Sequence, residues 1–143
     1  MALSADKPLE YKAIEKTRLE AALPVQASTT IYQGGALSRD SGGEIGPLAA
    51  SEAFVGFSGD GANNASGSAG DINAKVYTQG IVLLTITGLD DNNDGSDTVY
   101  ATADDTFTLT ASGAVSIGKV FEIEDLATNK AWVFFQGDAV RSI

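Results

Sequence analysis

From Val25 onward, short runs of β-forming residues alternate with turn residues, with successive runs starting roughly ten residues apart. This spacing is typical of small antiparallel barrels and sandwiches. We therefore predict an all-β fold, a small antiparallel β-barrel or β-sandwich preceded by an N-terminal arm. The densest part of the pattern, residues 98–135, contains four runs, at 98–102, 106–110, 118–124 and 131–135.

The middle of the chain gives the clearest strand patterns. Ile72, Ala74 and Val76 alternate with polar residues, so we expect them to face inward. Gln79-Gly80 is expected to turn the chain into a continuous apolar strand at 81–87, covered on both faces. Residues 58–70 are small and polar, and we expect a mobile surface loop that buries little. Earlier runs predict short strands at 29–32, 36–38, 45–48 and 54–58.

Residues 1–24 differ from the rest of the chain, and we treat them as an N-terminal arm before a single β domain at 25–143. The arm is rich in charged helix formers and lacks glycine. Its residues Leu9, Ile14, Leu19 and Leu23 are spaced by five, five and four, which does not define one helical face. Two alternatives stay open. The arm is either part helical or extended and ordered by what it docks onto, or it is a helix packed on its own sheet.

Charge and composition exclude several classes of function. The net charge is −10, and all of it lies beyond residue 23, because the acids and bases before that point balance. So acidic a body repels nucleic acid and anionic membranes. The chain has no histidine and no cysteine, which removes Ser-His and Cys-His catalysis and the commonest zinc ligands. No secretory signal or membrane span is visible. We expect no enzyme activity and no cofactor.

One motif resembles the start of a calcium-binding loop. Asp90, Asn92 and Asp94 alternate and are followed by Gly95, as in the first half of an EF-hand loop. The twelfth position is Ala101 rather than glutamate, and the flanks are predicted strands, so an EF-hand is excluded. We predict no metal site. The alternative is a weak calcium site at these three residues, with or without Asp97.

Two pairs of carboxylates are the remaining candidates for catalytic residues. Asp104 and Asp105 are adjacent, so on a strand their side chains point to opposite faces and cannot oppose each other across a substrate. We interpret them as turn residues. Glu122 and Glu124 share one strand face, which is typical of a solvated surface or an interface rim.

The order of the segments resembles the small capsid decoration proteins of tailed bacteriophages, also called cement or head-stabilising proteins. MALSADKP resembles the family's N-terminal arm, and IYQGGALSRDSGGEIGPL resembles its first hairpin. AFVGFSGDGANNASGSAGDINAKVYTQGIVLLTI resembles its run of strands around a small-residue loop, and VYATADDTFTLT, SIGKVFEI and AWVFF resemble its closing strands.

The resemblance implies a virion protein on the outer surface of the capsid. Such proteins bind the major capsid protein, commonly as homotrimers, and stabilise the head against internal DNA pressure. The alternative is an acidic β binding module for a carbohydrate or another surface ligand, with the weak calcium site. If the arm anchors the protein to the lattice, its apolar side chains are the expected capsid contacts: Leu3, Leu9, Tyr11, Ile14, Leu19 and Leu23.

Overall fold

The computed structural model describes residues 2–12, 19–89, 97–111 and 113–137. About 57% of the chain is strand, and the described residues contain no α-helix, only one short 3-10 turn. This confirms the predicted all-β class. The strands are β1 (Leu19–Pro24), β2 (Thr29–Ile31), β3 (Ala36–Arg39), β4 (Ile45–Pro47), β5 (Ala53–Ser58), β6 (Ala62–Asn64), β7 (Asn73–Thr87), β8 (Thr98–Ala103), β9 (Thr106–Thr108), β10 (Val115–Asp125) and β11 (Lys130–Gln136), with the 3-10 turn at Leu126–Thr128 between the last two.

Five strands close into a barrel. The bonded order is β11-β10-β8-β9-β7, and β7 also pairs with β11, which completes the ring. Each of these pairings is antiparallel except that of β7 with β9, which is parallel. Closure removes the free edges that an open sheet of this size would expose. The additional strands β5, β3 and β4 extend the sheet from β7, while β2 and β6 form a separate ribbon.

Strand β7 organises both hydrophobic cores. Its first half directs Ala74 and Val76 into a core shared with β3, β4 and β5, as the alternation predicts. Its second half directs Val82 and Leu84 into the barrel core. The pairing with β1 skips Thr78, so the strand carries a β-bulge between its two halves, and such a bulge bends and twists a strand.

The predicted turn at Gln79-Gly80 is wrong. Both residues lie within β7, where Gln79 pairs with Gln136 and Gly80 pairs with Phe135. Pairing with β11 along the whole second half of β7 supplies main-chain hydrogen bonds that keep the chain extended through the glycine. Local turn propensity is overridden here by the long-range partner.

Three phenylalanine rings fill the barrel core where it meets β5. The Phe57 and Phe135 ring centroids lie 4.9 Å apart, and the Phe54 and Phe57 centroids lie 5.5 Å apart, both in edge-to-face geometry. All three side chains are fully buried. Such pairs contribute about 0.5–1.5 kcal/mol each beyond their buried area, so β5 is bound firmly to the barrel.

The loop at 58–70 buries more than its composition suggests. Residues Ala62–Asn64 form β6, which pairs with β2. Asn64 is buried, and its side-chain amide donates to the carbonyl oxygens of Gln26 at 2.9 Å and Ser68 at 3.0 Å. Most residues of this stretch are exposed or half-buried, as expected, but 62–64 form a strand and Asn64 is buried. One buried amide anchors it, and nothing in its composition shows which asparagine does so.

Candidate functional site: the docked segment and the Trp132 surface

Residues 2–12, here called the docked segment, lie against the chain's own body. Tyr11 pairs with Val82 in an antiparallel bridge, and Val82 also pairs with Val133 of β11. Because a strand has two edges, the docked segment must lie on the edge of β7 opposite β11. It therefore extends the sheet beside β7 by a single β-bridge.

Two main-chain hydrogen bonds fix this register. The N–H of Lys12 donates to the carbonyl oxygen of Ile81 at 2.9 Å, and the N–H of Leu83 donates to the carbonyl oxygen of Glu10 at 2.9 Å. These bonds satisfy the main-chain polar groups of Ile81 and Leu83 on the edge of β7 that faces away from β11. The segment is extended here rather than helical.

Side chains of the docked segment reach the barrel core. Leu9 and Tyr11 pack against that core. The ring of Tyr11 lies 5.0 Å from the Tyr77 ring in edge-to-face geometry and 6.3 Å from the Phe135 ring. The apolar residues of the segment thus contribute to the stability of the body itself.

The beginning of the segment is held by a second set of bonds. The N–H of Leu3 donates to Asp104 Oδ1 at 2.9 Å. Asp6 Oδ1 accepts from the N–H of Gln33 at 2.8 Å, and the Gln33 carbonyl oxygen accepts from the N–H of Lys7 at 2.8 Å. The docked segment is consequently fastened at both ends.

Gly34 permits the close passage of this chain. Its φ is +87°, a conformation that favours glycine. A Cβ atom added there would lie 1.7 Å from the main-chain oxygen of Lys7, so no side chain fits between the two segments. Gly34 thus provides the space for the docked segment.

Five of the six arm side chains predicted to contact a capsid lie within the described residues. Leu9 and Tyr11 pack on the barrel core, Leu3 lies beside Gly35, and Leu23 packs against the second core. Leu19 is 43% exposed. Leu19 and Leu23 belong to β1, which pairs with β7, so the described parts of the arm are extended and not helical. Ile14 lies outside the described residues, and contact of these side chains with a capsid stays a prediction.

Asp104 is the only charged residue among the buried side chains of the described chain, with 3% of its surface exposed. Burial raises the pKa of its carboxyl group, and neighbouring Asp105 raises it further, while the hydrogen bond from the Leu3 N–H acts in the opposite direction. The sequence interpretation of Asp104 as a turn residue missed its role as an acceptor for the docked segment.

Replacing Asp104 with asparagine should change how stability depends on pH. Because its pKa is raised in the folded state, the folded protein holds this proton more tightly than the unfolded chain does. The stabilisation of the folded state by protonated Asp104 is therefore complete below the pKa of the unfolded chain. It is lost as pH rises through the pKa of the folded protein. Asparagine keeps an oxygen acceptor for Leu3 and does not titrate. We therefore expect Asp104→Asn to gain stability relative to wild type as pH rises. Its free energy of unfolding minus that of wild type should be larger at pH 7 than at pH 4.

Chemical denaturation of both proteins at the two pH values measures this difference. The other carboxyl groups are common to both proteins, and any fixed cost of the amide is the same at both pH values. If the difference in unfolding free energy between variant and wild type is equal at pH 4 and pH 7, or is larger at pH 4, then ionised Asp104 does not destabilise the folded state.

A polar network joins the docked segment to the β10–β11 hairpin, and we call it the Trp132 surface: Lys12, Glu122, Glu124 and Trp132. The Lys12 ammonium lies 4.3 Å from the centroid of the Trp132 ring and 3.5 Å from Glu122 Oε1. The indole N–H of Trp132 donates to Glu124 Oε1 at 2.8 Å. The exposed ion pair contributes little to stability on its own. Together, however, the contacts hold the indole ring in one orientation.

The remaining candidates form no metal site within the described residues. Asp90, Asn92 and Asp94 lie outside those residues. In the described part, no group of three or more acidic, histidine or cysteine side chains could hold a metal ion. Nor does the described chain include a helix long and apolar enough to cross a membrane.

Comparison with protein-family models, with curated proteins and with solved structures finds no match to this chain.

Proposed function

We propose that this chain is a structural protein that decorates the outer surface of a tailed-phage head, where it binds the major capsid protein and stabilises the lattice. The observation that carries the proposal is the location of the charged side chains. The single buried charged side chain in the described residues, Asp104, binds the docked segment, and the other described acids and bases are at least partly exposed. Such a molecule acts through its surface.

The architecture suits a cement protein. A closed barrel with a segment fastened across it is a rigid body, and a rigid body loses little conformational entropy when it docks. Many weak copies on a repetitive lattice resist its expansion collectively, particularly if the subunits associate and bind with avidity. The acidic surface repels DNA, which favours a position outside the head.

The proposal also rests on the order of the resembling segments. The hairpin-like segment at 31–48 contains β3 and β4, the segment at 53–86 contains β5, β6 and most of β7, and the closing segments contribute β8 to β11. These segments therefore follow one another through the fold, with β6 in the separate ribbon and the other strands in the main sheet.

Binding to empty heads tests the proposal. Undecorated heads, assembled from the major capsid protein encoded in the same genome, are mixed with the purified chain, and bound protein is measured by cosedimentation. We expect saturation at a fixed ratio to the capsid protein and a higher temperature of head disruption. A soluble acidic protein of similar charge serves as the control. Absence of saturable binding would rule out the proposed function.

A further inference from the structure

A cleft opens where the docked segment passes the ribbon of β2 and β6, and we call it the ribbon cleft. Its volume is about 540 Å³, within the range of roughly 300–1,000 Å³ that is usual for ligand sites, and it is open to solvent. The residues that line it include Asp6, Thr30, Tyr32, Asp60, Gly61 and Asn63. Most of these residues are polar, and none is a lysine or an arginine.

The register of the ribbon gathers polar side chains on the cleft side. Thr30 pairs with Asn63, so their side chains lie next to each other on one face. Tyr32 is two residues beyond Thr30 and shares that face. Ile31 points the other way, into the second core, and is buried. A tyrosine, a threonine and an asparagine therefore line the same side of the cleft.

Gly61 leaves room beside Tyr32. Continued by one step, the register of the ribbon places Gly61 opposite Tyr32, and a glycine has no side chain to cover its neighbour. A Cβ atom added to Gly61 would lie 3.5 Å from Asp6 Oδ1, so a carboxylate of the docked segment borders this space. The cleft thus brings a carboxylate close to a half-buried aromatic residue.

Hydrogen bonds hold both walls of the cleft in place. On the wall formed by the docked segment, Asp6 Oδ1 accepts from the N–H of Gln33 at 2.8 Å. On the other wall, the N–H of Gly61 donates to Ser58 Oγ at 2.9 Å, and the side-chain amide of Gln33 donates to the Gly59 carbonyl oxygen at 3.1 Å. A site that is fixed before binding loses less conformational entropy when a ligand enters.

The charges around the cleft are nearly balanced. Asp6 and Asp60 contribute two carboxylates to the lining. Lys75 lies outside the lining and interacts with the charge of Asp60, and Lys7 follows Asp6 in the chain. A phosphate would meet the two carboxylates, and the described residues contain no group of acids that could hold a metal ion. A neutral polar ligand therefore fits the cleft better than an anion or a metal ion.

We propose that the ribbon cleft binds a neutral hexose unit of a carbohydrate. Sugar hydroxyl groups donate to carboxylates such as Asp6 and Asp60, and they accept from amide N–H groups. Asn63 Oδ1 accepts from the N–H of Ala65 at 3.0 Å, which leaves the NH2 group of that side chain as a donor. The apolar C–H face of a pyranose packs on an aromatic ring, which Tyr32 supplies. The inference goes beyond the proposed function and does not depend on it.

Titration of the isotope-labelled chain with methyl glycosides, followed by heteronuclear NMR, tests the site. The probes are the methyl glycosides of glucose, galactose, mannose and N-acetylglucosamine. We expect at least one of them to shift the amide signals of the cleft residues with a Kd on the order of 1 mM, as is usual for a ligand of this size. Tyr32→Ala should weaken that binding at least about tenfold. Tyr100→Ala, a control at a half-buried tyrosine of β8 that does not line the cleft, should bind like wild type.

Binding of none of the glycosides, or signal changes confined to residues outside the cleft, would overturn the assignment and leave the capsid proposal untouched. Equal affinity of wild type and Tyr32→Ala would also contradict it. Spermidine serves as a cationic probe, and if it shifts the cleft signals while the sugars do not, the carboxylates form a cation site instead. Should Tyr32→Ala not fold, Asp60→Ala at an exposed position provides the test, with an expected weakening of about tenfold.

Discussion

Replacing Tyr11 with alanine should lower the free energy of unfolding by about 2–4 kcal/mol, as expected for loss of a large, partly buried aromatic side chain. The ring of Tyr11 contacts Tyr77 and lies near Phe135, and its main chain pairs with β7. Its loss leaves a gap beside the barrel core and weakens the attachment of the docked segment. This is a large effect for a residue so close to the N-terminus, where truncation is usually tolerated.

Thermal and chemical denaturation measure the change. For a chain of this size the expected loss corresponds to a fall in Tm of about 5–15 °C. Leu19→Ala is the control, because Leu19 is 43% exposed and its side chain should contribute less than about 1 kcal/mol. Equal, small effects of the two substitutions would contradict the view that the docked segment is part of the body.

Gly34→Ala should destabilise the protein more than Gly43→Ala, although both glycines have a positive φ, +87° and +92°. The conformational cost of alanine is therefore similar at the two sites, about 1–2 kcal/mol. At Gly43 a Cβ atom meets nothing within 4 Å, whereas at Gly34 it would overlap the main-chain oxygen of Lys7. Relieving that overlap requires the docked segment to move, and we expect a further loss of about 1–3 kcal/mol.

Hydrogen exchange reports where the loss occurs. The amide of Leu83 donates to Glu10, so in Gly34→Ala it should exchange faster, and in Gly43→Ala it should keep its wild-type rate. Denaturation midpoints of the two variants give the difference in stability. Similar midpoints and similar exchange at Leu83 would mean that the close passage past Gly34 does not hold the segment.

Local sequence patterns predict the strands of this protein better than their partners. Alternation at Ala74 and Val76 identifies a core-facing strand because the side-chain period of a strand is two. The same reasoning fails at Gly80, where the chain looks like a turn but is held extended by β11. It fails again in β10, where alternation puts Phe121 and Ile123 on one face: a bulge at Phe121 leaves that ring 48% exposed, while Ile123 packs against the barrel core.

The candidate site depended on contacts between distant residues. The spacing of Leu9, Ile14, Leu19 and Leu23 left a helical and an extended arm both open, and it did not reveal that residues 2–12 lie along the edge of β7. Hydrogen bonds such as that from Leu3 to Asp104 join residues about a hundred positions apart and leave no local signal. Similarly, the exposure of Phe121 follows from the register of a hairpin, which sequence alone does not define.

The most direct test of the account is to image undecorated phage heads after incubation with the purified wild-type chain, using electron cryomicroscopy with imposed lattice symmetry. We predict added density of the size of this barrel at equivalent positions on the outer surface. Heads that remain bare at saturating protein concentration, or density confined to the inner surface, would contradict the proposal that this chain is a capsid decoration protein.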